Sequence, residues 1–186
     1  GKPIPSLQSI DHEEKVIYLG TFSKSIAPSL RISYMVLPLH LLKKYQESCS
    51  FYSTTVSKIQ QEVLREFIRG GYFGRHLNKM RGIYKNKHDF LVGELKKKNW
   101  VENIAGDNAG LHVLVQVNTT LTEEEICKKA TECGIRLMGI REHYIHTPPE
   151  GRPVLLLGYG KPDEQEIQKG LEVLESIVLE NRIPLP

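Results

Sequence analysis

Two short apolar runs, Val16 to Leu19 and Ile32 to Leu37, stand on either side of a polar stretch that carries Lys24. Both runs are rich in β-branched or aromatic residues, which predicts strands. Two consecutive apolar strands with little polar alternation fit a sheet buried on both faces, as in α/β proteins. A chain built this way presents the connecting segment, G-T-F-S-K, at a strand exit.

The rest of the chain continues the alternation of strands and helices. Pro38 to Ser50 reads as a short helix, and Thr55 to Arg69 places Val56, Ile59, Val63 and Phe67 at helical spacing before the Gly70-Gly71 pair ends it. The longest helix is predicted from Tyr72 to Lys98, with Leu77, Met80, Tyr84, Leu91 and Leu95 on one stripe. Asn103 to Gly110 is rich in turn residues and is read as a loop before a strand at Leu111 to Val117. Thr122 and Glu125 have the spacing of a capping box for a helix that ends near Gly134. Strands are predicted at Ile135 to Ile140 and Val154 to Leu157, separated by a proline-bearing loop from Thr147 to Pro153. Pro162 is expected at the first turn of a final helix whose buried stripe is Ile167, Leu171, Leu174 and Val178. The Gly-Gly pair marks a boundary, giving parts 1–70 and 71–186, the second an α+β layer.

Lys24 is the residue that most invites a chemical reading. A lysine at a strand exit can be partly desolvated, and a neutral amine condenses with a carbonyl. Thr21 and Ser23 supply hydroxyl donors beside it, and Arg31, seven residues on, supplies a planar fork suited to phosphate oxygens. Backbone N–H groups of the turn, and the start of a short helix at Ser25 to Pro28, would add positive potential. From spacing alone the same string also fits a surface lysine and a surface arginine flanking a buried strand.

Composition bounds the alternatives. With 186 residues, 40% of them hydrophobic, the chain can bury a real core. A net charge of +3, from 25 basic and 22 acidic residues, is too balanced to imply nucleic-acid binding by these residues. The basic stretch from Arg75 to Lys98 is a solvated helix face. Cys49, Cys127 and Cys133 are odd in number and lack metal-ligand spacing, so free thiols in a reducing cytoplasm are expected. His112, His143 and His146 make no credible metal set, and His76 reads as a packing residue. No apolar run approaches the roughly 20 residues that span a bilayer.

The string GTFSKSIAPSLRISY, Gly20 to Tyr34, resembles the cofactor-lysine segment of fold-type I pyridoxal-phosphate enzymes, in the version carried by the aminotransferase-like domain of MocR-type regulators of the GntR group. GKPIPSLQSID (Gly1 to Asp11), GYFGRHLNKMRGIY (Gly71 to Tyr84), AGLH (Ala109 to His112) and LLLGYGK (Leu155 to Lys161) follow the same pattern in the same order. The resemblance implies an α/β fold in which 1–70 ends the large cofactor-binding domain and 71–186 is the small C-terminal α+β domain. It implies that Lys24 is the internal-aldimine lysine for pyridoxal 5'-phosphate and that Thr21, Ser23 and Arg31 hold its phosphate.

It further implies a homodimer, an amino-compound effector, and DNA binding through a winged-helix domain ahead of Gly1. The chain is accordingly expected to be a C-terminal fragment that binds the cofactor weakly or not at all by itself. Related aminotransferases of the aminoadipate and kynurenine type carry R-L-S-Y near the C-terminus, the arginine clamping the substrate carboxylate. Here the corresponding residues are Leu156, Leu157, Gly158 and Tyr159, which points to a sensor rather than an efficient transaminase. Arg141 falls where it could meet an effector's carboxylate instead; as a loop arginine it could equally pair with Glu142 or solvent. Arg136 is expected to face outward by strand alternation.

Overall fold

The computed structural model describes residues 5–106, 110–147 and 150–182, so parts of the motifs at Gly1 to Asp11, Ala109 to His112 and Thr147 to Pro153 lie outside the described residues. The chain forms two compact units, Gly1–Arg81 and Gly82–Pro186.

In the first unit, β1 (Tyr18–Thr21) and β2 (Ser33–Val36) pair antiparallel, with Gly20 opposite Tyr34 and Thr21 opposite Ser33. Between them lie a single helical turn, α1 (Phe22–Ser25), and a 3-10 turn, Pro28–Leu30. The expectation of a sheet buried on both faces is not met: among the described residues this sheet has two strands, and Leu19, Met35 and Val36 are exposed. A two-stranded ribbon offers few neighbours to cover its faces. Helices α2 (Leu39–Cys49) and α3 (Lys58–Arg69) follow, the latter capped by the Ser57 hydroxyl on Ile59 N–H. The predicted stripe of α3 is largely solvent-facing: Ile59 and Val63 are exposed, and Leu64 is the residue that is buried. Gly71 takes φ +71°, a left-handed conformation that suits glycine, and α4 (Tyr72–Leu95) starts at the next residue.

The division between units falls within α4, and its last turns belong to the second unit. There a four-stranded antiparallel sheet has the order β3-β4-β6-β5, formed by β3 (Val101–Ala105), β4 (His112–Val117), β5 (Met138–Gly139) and β6 (Val154–Gly158). Burial along H-V-L-V-Q-V alternates as period-2 geometry requires. Val113, Val115, Val117, Leu155 and Leu157 turn to one side and pack with Leu91 and Leu95 of α4, Ile126 of α5 (Glu123–Glu132) and Leu171, Leu174 and Val178 of α6 (Glu164–Leu179). Burying each such side chain contributes roughly 1.5–3 kcal/mol, so this cluster is the stabilising centre of the unit. Ala105, Leu114, Leu156 and Met138 stand in register across all four strands on the other side.

Several boundaries differ from those expected. β3 runs into residues read as a loop, Asn103 to Ala105, because Ile104 pairs with Val115 and its packing outweighs the poor strand propensity of Asn103 and Ala105. β5 is only Met138–Gly139; Ile135 and Leu137 pack inward and Arg136 is exposed, as expected, but they form no ladder. Pro162 precedes the helix instead of opening it, since the Asp163 carboxylate is the N-cap and forms a reciprocal box with Glu166. The capping box of Thr122 and Glu125 is present as predicted.

Candidate functional site

Lys24 sits in the last residues of the four-residue turn α1, exposed to solvent. The turn forms at this point because Thr21, still extended at φ −140° and ψ 138°, caps it: its hydroxyl accepts the Ser23 N–H at 3.2 Å. The same hydroxyl donates to the Ile32 carbonyl at 3.2 Å, and Phe22 N–H donates to that carbonyl at 2.9 Å. One buried carbonyl therefore ties both ends of the Phe22–Arg31 loop together. The helical turn begins at Phe22, three residues earlier than the helix expected at Ser25, and this puts Lys24 within it.

Arg31 closes the loop in the left-handed conformation, φ 51° and ψ 34°. That region is uncommon for a residue with a side chain and costs on the order of 1 kcal/mol or more. Among the described residues neither the Lys24 amine nor the Arg31 guanidinium has an ion pair or hydrogen bond, and the hydroxyl of buried Ser23 has no partner. The loop thus offers two uncommitted cations and a hydroxyl donor. Thr21 differs: its one proton already goes to Ile32, so its hydroxyl would have to be redirected to meet a ligand. An amine, a guanidinium and a hydroxyl on one pinned loop are the donor set that fits a phosphate-bearing aldehyde.

Arg141 lies elsewhere, in the second unit, on a 3-10 turn after β5. Glu123, the first residue of α5 and 6% exposed, accepts Arg141 N–H on Oε2 at 2.8 Å and Val154 N–H on Oε1 at 2.9 Å, with the Arg141 Nε 3.9 Å from Oε1. Among the described residues the acid beside Arg141 is thus Glu123 and not Glu142. Gly139 is required here, since a Cβ would collide with the Glu123 carboxylate. These groups line a cavity of about 1120 Å³ with Thr119, Cys127 and Arg152. Burial pushes the Cys127 thiol up, away from thiolate formation. Leu156, at the centre of β6 between Leu114 and Met138, offers no polar group to a ligand.

Sequence reasoning overlooked the Ile32 carbonyl, Glu123 and the Gly20–Tyr34 pair. A buried glutamate at the first position of a capped helix leaves only a weak trace in sequence, and a backbone acceptor leaves none. No described residues form a cluster of three or more His, Cys, Asp or Glu able to hold a metal, and no described helix is long and apolar enough to cross a membrane.

A family model described as aminotransferase class I and II matches residues 2–167. The chain belongs to the class I and II aminotransferase family. It is 40% identical over 95% of its length to the HTH-type transcriptional regulator YdeL of Bacillus subtilis, covering 38% of that protein. To the probable rhizopine catabolism regulatory protein MocR of Rhizobium meliloti it is 30% identical over its full length, again covering 38% of the relative. The chain therefore spans less than half of these regulators. Among solved structures, the multiple substrate aminotransferase of Thermococcus profundus superposes with a TM-score of 0.79 at 24% identity, covering 97% of this chain and 44% of the other. The α-aminoadipate aminotransferase of Thermus thermophilus, complexed with a phosphopyridoxyl-leucine, gives 0.76 at 23% identity over 95% of this chain and 46% of the other. At these identities the structures establish the shared α/β fold.

Proposed function

We propose that this chain is the cofactor- and effector-binding part of a pyridoxal-phosphate-dependent transcription regulator of the MocR type. The observation that carries the reading is the pinned loop from Phe22 to Arg31, on which the Lys24 amine and the Arg31 guanidinium stand without partners among the described residues. The cofactor, when bound, supplies an aldehyde that condenses reversibly with amines. Lys24 would hold that carbon, Arg31 and Ser23 would bind the phosphate, and an amino-compound effector would compete with the Lys24 amine. In the longer protein this exchange alters DNA binding through a helix-turn-helix domain of the kind that gives YdeL its description. Residues 1–70 then end the large cofactor domain and 71–186 form the small one, in a cytoplasmic homodimer.

Sensing is favoured over turnover because Leu156, flanked by Leu114 and Met138, cannot fix a carboxylate for repeated proton transfer. The test uses the longest natural form of the protein, loaded with pyridoxal phosphate, reduced with borohydride and mapped by mass spectrometry. An adduct at Lys24, lost in Lys24→Ala, is expected. An adduct on another lysine would overturn the assignment, and catalytic release of a keto acid from an added amino acid would make the protein an aminotransferase.

A further inference from the structure

The loop that carries Lys24 is held by more than its backbone bonds. Gly20 and Tyr34 are paired directly across β1 and β2, and the Tyr34 ring lies over the Gly20 backbone so closely that any Cβ there would collide with it. On its other side the Tyr34 ring has Tyr18 as a neighbour, the two ring centroids 6.1 Å apart. Its near side meets Phe22 at a centroid distance of 5.0 Å, and Phe22 also contacts Phe73 edge-on at 5.9 Å.

A four-residue helix has no stability of its own. The Ile32 carbonyl and the Thr21 hydroxyl fix where α1 starts, at Phe22 and Ser23 N–H, and Ser25 Oγ donates to the Thr21 carbonyl, but these bonds all hold the turn at its strand end and leave its tilt free to vary. The ring contacts of Phe22 remove that freedom, and Lys24 is two residues further along the same turn. We infer that Tyr34 is a positioning residue: its ring, admitted by the bare backbone of Gly20, braces Phe22 and so sets the direction in which Lys24 leaves the loop. Its action runs through Phe22, the ring it meets at 5.0 Å. Aromatic pairs of this kind contribute about 0.5–1.5 kcal/mol beyond area burial, enough to select one orientation over its neighbours.

The inference rests on the reading that Lys24 holds the cofactor, and two readouts separate them. In the longest natural form of the protein, the rate of pyridoxal-phosphate release is measured alongside amide hydrogen exchange at Phe22 and Ser23 in the cofactor-free state. Tyr34→Leu and Gly20→Ala should each raise both rates about tenfold, while Tyr34→Phe, which keeps the ring, should stay within about twofold of wild type. Rescue by phenylalanine is the outcome that loss of the phenol alone would not produce. Wild-type rates in Tyr34→Leu, or equal losses in Tyr34→Leu and Tyr34→Phe, would overturn the inference. If the wild type forms no adduct at Lys24, the cofactor reading fails. The exchange rates then decide alone, with faster exchange in Tyr34→Leu and wild-type exchange in Tyr34→Phe supporting the brace, and unchanged exchange in both refuting it. Should Gly20→Ala not fold, the two Tyr34 variants carry the comparison.

Discussion

Arg31 shows how a single residue can be conformationally costly and chemically useful at once. Its left-handed backbone is one that glycine adopts without penalty, yet an arginine with no partner among the described residues occupies it. Replacing it with glycine separates the two properties. Arg31→Gly should leave the unfolding free energy from urea titration unchanged or raised by up to about 1 kcal/mol, while pyridoxal phosphate leaves the longer protein about tenfold faster. A loss of stability with unchanged cofactor retention would show that the guanidinium serves the fold instead. Lys24, Ser23 and Arg31 could be picked out of the sequence because strand, polar turn and basic residue succeed one another within a few positions. Arg141 could not be resolved in this way: which acid it meets depends on a helix that begins 18 residues earlier, and the buried carboxylate of Glu123 takes both its N–H and the neighbourhood of its Nε.

At the scale of elements, the caps of α5 and α6 are the most local devices in the chain. Thr122 and Glu125 exchange hydrogen bonds of 2.8 and 3.2 Å across three residues, so Thr122→Ala should cost about 1 kcal/mol in urea denaturation. A second device joins distant elements: Glu175 on α6 accepts the Trp100 Nε1–H at 3.1 Å and pairs with Lys98 at 2.7 Å, which anchors the entry to β3. The hydrogen bond from Lys98 holds the Glu175 carboxyl below its ordinary value of 4.5. A carboxylate depressed by folding stabilises above its unfolded value and loses that contribution as pH falls through the depressed one. Urea midpoints followed from about pH 7 to pH 3 should therefore drop on the acid side, and less steeply in Glu175→Gln. An acid limb identical in the variant would remove Glu175 from the account. The cap of α5 was legible because it obeys a three-residue rule, while that of α6, on Asp163 and Glu166, was missed beside Pro162. β3 and the truncated β5 were not legible, because a strand exists only where a neighbour in the right register accepts its ladder.

For the molecule as a whole, the two units differ in what they bury. Val113, Val115, Leu95, Trp100 and Val178 of the second are fully enclosed, whereas the first exposes Leu19, Met35, Phe51, Ile59 and Val63. Local opening free energies follow buried apolar contact, so amides of β4, β6 and α6 should exchange at least about a hundredfold more slowly than those of β2 and α2. Uniform protection across both units would contradict that contrast. The sequence by itself determined the succession of helices and of the strands other than β3, the capped start of α5, the buried stripe of α6 and the strand-turn-strand setting of Lys24, because these depend on residues within one or two turns of each other. Only the tertiary structure decided that Ile32 pins the loop, that Tyr34 rests on Gly20, that Glu123 holds Arg141, and that the stripe of α3 faces solvent. Each of those depends on which surface meets which, and that is set by packing between residues far apart in the chain.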